Sequence, residues 1–420
     1  MQFMTKMMNR YVIMASILLI HMGARSQSEG LTSSPYSLYG LGTINQTSIG
    51  QSNGLGYSGI AHRMDTGINN LNPANYALVP QNSFFYDIGV VGEYNNYSNR
   101  GDDESKTTFN FSNIAFAFRI ANRLGAGISL IPYSDVGYTL LGLVSNIEGS
   151  DETFESNVSG IGGLNDFGIN LGYGITDQLR LGVRASVLFG NIEEKENFVI
   201  SNSYFELNET TNYSALRLGM GMQYDITDKI SVGGTVQLPV TLTGNLTRSV
   251  SKTLDGEEII VEDEEEDDVS DFKLPMELGF GISAKILKSF TLNADYKKNF
   301  WDATDQSESI GTYADQDIYA IGLEYVNKSR GYKYWERIRY RAGFNYDNGY
   351  LAINNNKIDG YNITMGIGLP TGYTSNSLIN LSYAYGSKGQ INNILIKENY
   401  HSITLNLSLE DLWFAKRKID

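Results

Sequence analysis

Over most of the chain apolar and polar residues alternate with a period of two. In residues 230–244, Ile230, Val232, Val236, Leu238, Val240 and Leu242 share one face, while Ser231, Gly233, Thr235, Gln237, Thr241 and Thr243 share the other. Such a contrast marks a β-strand lying between two different media. The pattern returns at Leu216, Leu218, Met220, Met222, Tyr224 and Ile226 against Arg217, Gly219, Gly221, Gln223 and Asp225. It appears again at Ile403, Leu405, Leu407 and Leu409 against Thr404, Asn406 and Ser408. Segments of this length cross a bilayer when tilted.

The periodicity predicts fourteen strands, at 84–97, 107–121, 124–143, 165–175, 178–192, 212–226, 229–244, 272–287, 289–300, 316–327, 335–347, 358–369, 377–387 and 400–410. An even count closes a single-chain barrel with both ends on one side. Odd connections are mostly long (144–164, 193–211, 245–271) and even ones mostly tight, such as Thr176-Asp177 and Thr227-Asp228. Short periplasmic turns and long outer loops alternate in this way. The expected fold class is therefore all-β, a transmembrane antiparallel β-barrel of about fourteen strands over residues 83–414.

The third strand breaks the pattern. Pro132 sits in its middle with Gly137 close behind, although a proline has no N–H for a sheet ladder. Two readings stand at this stage: a bulge that bends the strand, or an opening in the wall. Pro239 and Pro275 also fall within strands.

Composition narrows the class. Lys6 and Arg10 precede the apolar run 11–20, and Ala24-Arg25-Ser26 offers small residues at the positions a signal peptidase reads, so residues 1–26 are expected to be a cleaved secretory signal. Its removal takes the 32 basic residues to 29 against 47 acidic ones, a charge of −18. Nucleic acid is thereby excluded as an expected partner. The absence of cysteine excludes disulfides, thiol chemistry and an N-terminal lipid anchor. With two histidines left after processing, His62 and His401, and no nucleophile elbow, zinc helix or phosphate loop, neither an enzyme nor a cofactor is expected. The run 255–271 is dense with carboxylates without calcium-loop spacing, and is expected to be a solvated outer loop.

Residues 27–82 are polar and weakly periodic, and are placed as a hatch at or inside the periplasmic mouth. They carry Ser34 to Gly42 ("SPYSLYGLG"), then Gly56, Gly59, Ala61, Asp65 and Asn72-Pro73-Ala74. With the signal before them, fourteen strands after them and the basic tail at 415–420, these residues resemble the FadL-like family of long-chain fatty acid and hydrophobic-compound transporters. The resemblance implies a barrel in the outer membrane of a Gram-negative bacterium, surrounded by lipid and plugged by the hatch. It further implies passive uptake of a hydrophobic small molecule, with sideways exit through a kinked third strand, here Pro132, Tyr133, Ser134, Asp135 and Gly137. Some barrels of this fold resemble secretion-system shuttles, so a protein partner at the outer loops is the alternative.

Two further sets of residues complete the expectation. Asp65, Asn72, Pro73 and Ala74 form the hatch motif, with Asn72-Pro73 starting the turn that leads into the wall. Arg184, Arg217, Arg337, Arg339 and Arg341 are expected to point into the lumen, because Arg on the lipid face near the midplane costs about 2–4 kcal/mol. Glu277, Asp295, Asp225 and Glu324 are their candidate partners; a subset of the arginines holding a ligand carboxylate is the sharper alternative.

Overall fold

The computed structural model describes residues 32–412 except 102, 147–152, 201–202, 255–256, 308–310, 373–374 and 393–394; the expected signal peptide and basic tail lie outside the described residues. The described chain is a closed barrel of 14 antiparallel strands. In chain order these are β1 (Ser83–Ser98), β2 (Asp103–Ala121), β3 (Leu124–Asn146), β4 (Thr153–Gly174), β5 (Leu179–Ile200) and β6 (Ser203–Thr227). Two interrupted strands follow, β7 (Ile230–Gln237 and Val240–Leu254) and β8 (Glu257–Leu274 and Glu277–Leu287). The wall continues through β9 (Phe290–Asn299), β10 (Gln316–Val326), β11 (Arg339–Asp347), β12 (Gly360–Pro370), β13 (Leu378–Lys388) and β14 (Lys397–Leu412). Pairing of β1 with β14 from Ser83↔Leu412 to Ser98↔Lys397 closes the ring.

The wall is inverted relative to a water-soluble sheet. On β6, Leu216 is 63% exposed whereas its neighbour Arg217 is 4% exposed. Met220, Met222 and Ile226 likewise face outward while Gln223 and Asp225 are buried. An outer surface of this kind is stable only against hydrocarbon, where each buried CH₂ is worth about 0.8 kcal/mol.

On the outer side the strands run far past the bilayer. The 25 residues of β6 span about 80 Å at ~3.3 Å per residue, against ~30 Å of hydrocarbon. Much of what the alternation assigned to the loops 144–164, 193–211 and 245–271 is therefore strand. Beyond the membrane both faces are wet, so the contrast fades while the ladder continues. The acidic run is a correction of this kind: instead of a solvated loop, Glu257–Leu274 pairs with Val240–Leu254 from Glu257↔Leu254 to Leu274↔Val240, with three register shifts. Among the described residues no strand pairs with its other edge.

Proline sets both interruptions, at Pro239 and Pro275. Arg217 answers them. Its guanidinium donates to the carbonyls of Leu238 (3.2 Å) and Pro275 (2.8 Å) while bonding Glu277 at 2.8 Å. One rigid fork of donors thus satisfies the acceptors that two broken ladders leave over.

Residues 33–82 lie within the ring. The 3₁₀ turn Pro73–Leu78 packs on β3, β4, β5 and β6, and the turn Gly50–Leu55 packs on β10 to β14. Together they reach most of the circumference. Glycines on the wall make room: a Cβ at Gly221 would stand 2.1 Å from Asn72 Oδ1, and one at Gly182 would stand 2.2 Å from the Pro73 carbonyl carbon.

Candidate functional site

The ladder between β2 and β3 starts at Ala121↔Leu124 and stops at Ile114↔Leu130. Beyond that rung β2 continues to pair with β1, and β3 continues to pair with β4, but the two strands no longer pair with each other. Pro132 lies two residues past the last rung. A bulge between Pro132 and Ser134 in the β3–β4 ladder marks the bend. Opposite it Gly162 and Gly163 have φ of +123° and +147°, a conformation that L side chains rarely adopt.

Past the split β3 loses the alternation of a wall strand. All eight residues from Ile131 to Tyr138 are buried. The N-terminal segment covers the freed edge: Thr43 and Ile44 pair with Asp135 and Ser134, and the Asn45 amide donates to the Tyr133 carbonyl at 2.9 Å. Asn45 Nδ2 also donates to Asp135 Oδ2 at 2.8 Å. Gly137 is where the backbones approach most closely, since a Cβ there would stand 1.8 Å from the Thr32 carbonyl oxygen. Its amide donates to Ser37 Oγ at 3.1 Å.

Lower in the lumen polar side chains bind the segment to the wall. Asn72 is fully buried. Its Oδ1 accepts from the Ala74 amide (3.0 Å), and its Nδ2 donates to the carbonyls of Ile60 and of Met222 on β6 (both 2.9 Å). Pro73 at the first position of the 3₁₀ turn suits a site where an N–H would be spare. Asp295 Oδ2 accepts from the amides of Gly59 (2.6 Å) and Ile60 (2.9 Å). Arg341 joins Glu324 (2.8 Å), Asn380 (2.7 Å) and Gln51 of the segment (3.0 Å). Arg339 bonds Glu324 at 3.3 Å and Arg184 bonds Asp166 at 2.7 Å. Asp225 receives Arg180 at 2.6 Å and Arg63 at 3.3 Å.

Two expected site residues lie outside the strands. Arg337 is buried, precedes β11 in the turn after Tyr334–Glu336, and donates to the Gly372 carbonyl at 2.5 Å. Asp65 is exposed in a bend. Other residues were not singled out from the sequence. Buried Asp87 accepts from Asn113 and Asn406, both at 2.7 Å, and from Ser408. These four come from β1, β2 and β14, and the only local signal was an acidic residue between Tyr86 and Ile88 on the inward face.

Above this network lies a cavity of about 390 Å³. Asn110, Phe111 and Ser112 of β2 line it from one edge of the split, and Ile131, Pro132 and Tyr133 of β3 from the other. Much of its lining is polar, because the apolar residues of the outer lumen are occupied with one another: Trp301 stacks on Tyr313 and Tyr350 at 5.3 and 5.1 Å, beside Leu41, Tyr133 and Leu164.

Solved structures of similar fold include two toluene transporters and a FadL homologue. The Pseudomonas putida toluene transporter TodX superposes with a TM-score of 0.60 at 14% identity, over 88% of this chain and 99% of that one. The Ralstonia pickettii toluene transporter TbuX gives 0.56 at 16%, over 87% and 99%. A Pseudomonas aeruginosa FadL homologue gives 0.58 at 13%, over 89% and 99%. At these identities the likeness establishes the FadL-type fold. No curated protein matches the sequence. The BamG family model matches residues 7–420, so the chain, a FadL-type outer-membrane β-barrel, belongs to the BamG family.

Proposed function

We propose that the protein is a passive channel for hydrophobic small molecules in the outer membrane of a Gram-negative bacterium, with sideways exit through the wall beside Pro132 and residues 27–82 acting as its hatch. One observation carries the reading: the β2–β3 ladder ends at Ile114↔Leu130, and the cavity behind it is lined from both edges of the break. Three proteins sharing the fold are two toluene transporters and a FadL homologue, which supports the same class of cargo.

The test is flux of labelled toluene and decanoate into cells or proteoliposomes carrying the wild type or Ser112→Trp, a side chain placed at the β2 edge of the split. Flux lowered about tenfold or more, roughly 1.4 kcal/mol of added barrier, supports lateral exit. Unchanged flux through Ser112→Trp removes it.

A second reading, an outer-membrane interaction protein, is favoured by the outer sheet. Strands β4 to β8 project past the bilayer, and Ile259, Ile260 and Val261 stand exposed on β8, whose free edge is a template for another strand. Mild extraction decides between them: a stoichiometric protein partner favours the scaffold, bound lipid-like ligand the channel.

A further inference from the structure

The charge on the cavity wall is uneven. Arg184 and Arg217 line it but are committed to Asp166 and Glu277. Glu93, Asp135, Asp347 and Glu398 also line it, against Lys297 and Lys388. Asp135 and Glu398 both lie within electrostatic range of Glu93.

Hydrogen-bond capacity is uneven in the same sense. Asp135 is 8% exposed and Asn345 is 1% exposed. Both line the cavity, and the Oδ1 atom of each is buried without a donor. Asn70 Oδ1 is a third spare acceptor on the lining, against one spare hydroxyl, Thr43 Oγ1, which can donate or accept; acceptors thus predominate, and the complementary guest brings N–H or O–H groups and positive charge. Among the described residues no three histidine or acidic side chains converge closely enough to hold a metal ion. An organic cation, large enough to reach separated acceptors, fits where a metal does not.

We propose that the cavity selects molecules with a primary ammonium head, which donates to Asp135 Oδ1 under the field of Glu93 and Glu398. The apolar part of the molecule then faces the split, where Phe111, Ile131 and Pro132 stand. This specificity rests on the channel reading. Its ligand is a cationic amphiphile rather than a fatty acid anion, whose carboxylate brings no donor to the spare acceptors and adds to the excess of negative charge.

The test is equilibrium dialysis of labelled hexylamine and hexanoate against the full chain in a nonionic detergent, with empty micelles as the blank. Hexylamine retained at least about tenfold more strongly than hexanoate, with the preference falling to about threefold or less in Asp135→Asn and in Glu93→Gln, supports the assignment. Hexanoate retained as well as hexylamine overturns the charge preference and leaves the channel standing. A preference that survives both substitutions overturns the site. Retention of neither probe overturns the inference, while toluene flux through the wild type decides the channel separately.

Discussion

Replacing Asn72 with alanine should release the N-terminal segment while leaving the ring closed. Asn72→Ala removes a buried cap, worth about 1 kcal/mol, and two hydrogen bonds to the carbonyls of Ile60 and Met222, worth about 1 kcal/mol each. The sum, about 3 kcal/mol, corresponds to roughly a hundredfold rise in the population with the segment undocked. Arg63 reports that population. Its side chain is 41% exposed, but His62 and Met64 on either side are buried, so trypsin reaches the bond only after local opening. Cleavage after Arg63 should accelerate by up to about a hundredfold, while the folded barrel keeps its heat-modifiable mobility on a gel. Asn72→Asp retains the oxygen that accepts from Ala74 but sets a buried carboxylate oxygen against the Ile60 and Met222 carbonyls in place of the donor, so its rate should be at least that of Asn72→Ala. Equal rates for wild type and Asn72→Ala would refute the account of Asn72 as the tie between segment and wall.

Arg217→Met should cost about 3–5 kcal/mol, because it strands Glu277 and the carbonyls freed at Leu238 and Pro275 together; the heat-modifiable transition should move to markedly lower temperature, and an unmoved transition would show that those acceptors find other donors. Lys195 and Glu206 pair at 2.7 Å on the outer hairpin, where the hydrogen bond from Lys195 holds the Glu206 carboxyl below its ordinary value. A depressed carboxyl contributes stability above its unfolded pKa, about 4.3, and loses it as pH falls through the folded value. Lys195→Met should raise the Glu206 titration midpoint measured by NMR and weaken that acid-side dependence, with Asn208 still donating to the carboxylate at 3.1 Å.

The transmembrane pattern was legible because neighbouring positions meet different media. Leu216 and Arg217 cannot exchange places without putting a guanidinium into lipid. Outside the bilayer that constraint disappears, and so did the outer parts of β4, β5 and β6, although residues 204–213 carry Tyr204, Phe205, Thr210, Thr211 and Tyr213. The lumen was legible only as residue types. Arg217, Pro239 and Pro275 were each conspicuous in the sequence, but that one guanidinium serves both breaks follows from β6, β7 and β8 meeting in space. Asp87 was missed for the same reason, since Asn113, Asn406 and Ser408 come to it from distant parts of the chain. Gly182 and Gly221 read as weak strand positions until Asn72 and Pro73 are set against them.

The freed edge of β3 constrains how a lateral opening can work. An open sheet edge is not tolerated in hydrocarbon, where each unsatisfied backbone group costs several kcal/mol. Thr43 and Ile44 pair with that edge, and the Asn45 amide caps the Tyr133 carbonyl. Withdrawing residues 43–45 to open a path would therefore bare several such groups at once, a cost that burial of a small ligand does not offset at about 0.8 kcal/mol per CH₂. Residues 32–37 are held differently, by side-chain bonds such as Ser34 to Glu398 (2.5 Å) and Ser33 to Tyr97 (2.5 Å) and by the Gly137 amide on Ser37. The moving part should then be residues 32–37, hinged ahead of a fixed strand at Thr43–Ile44. Hydrogen exchange of the detergent-solubilised chain should show the amides of residues 43–45 protected nearly as well as those of β4, and those of residues 32–37 exchanging far faster. Equal, rapid exchange across 32–45 would mean that the edge opens as a unit, and that water rather than protein satisfies β3 when it does.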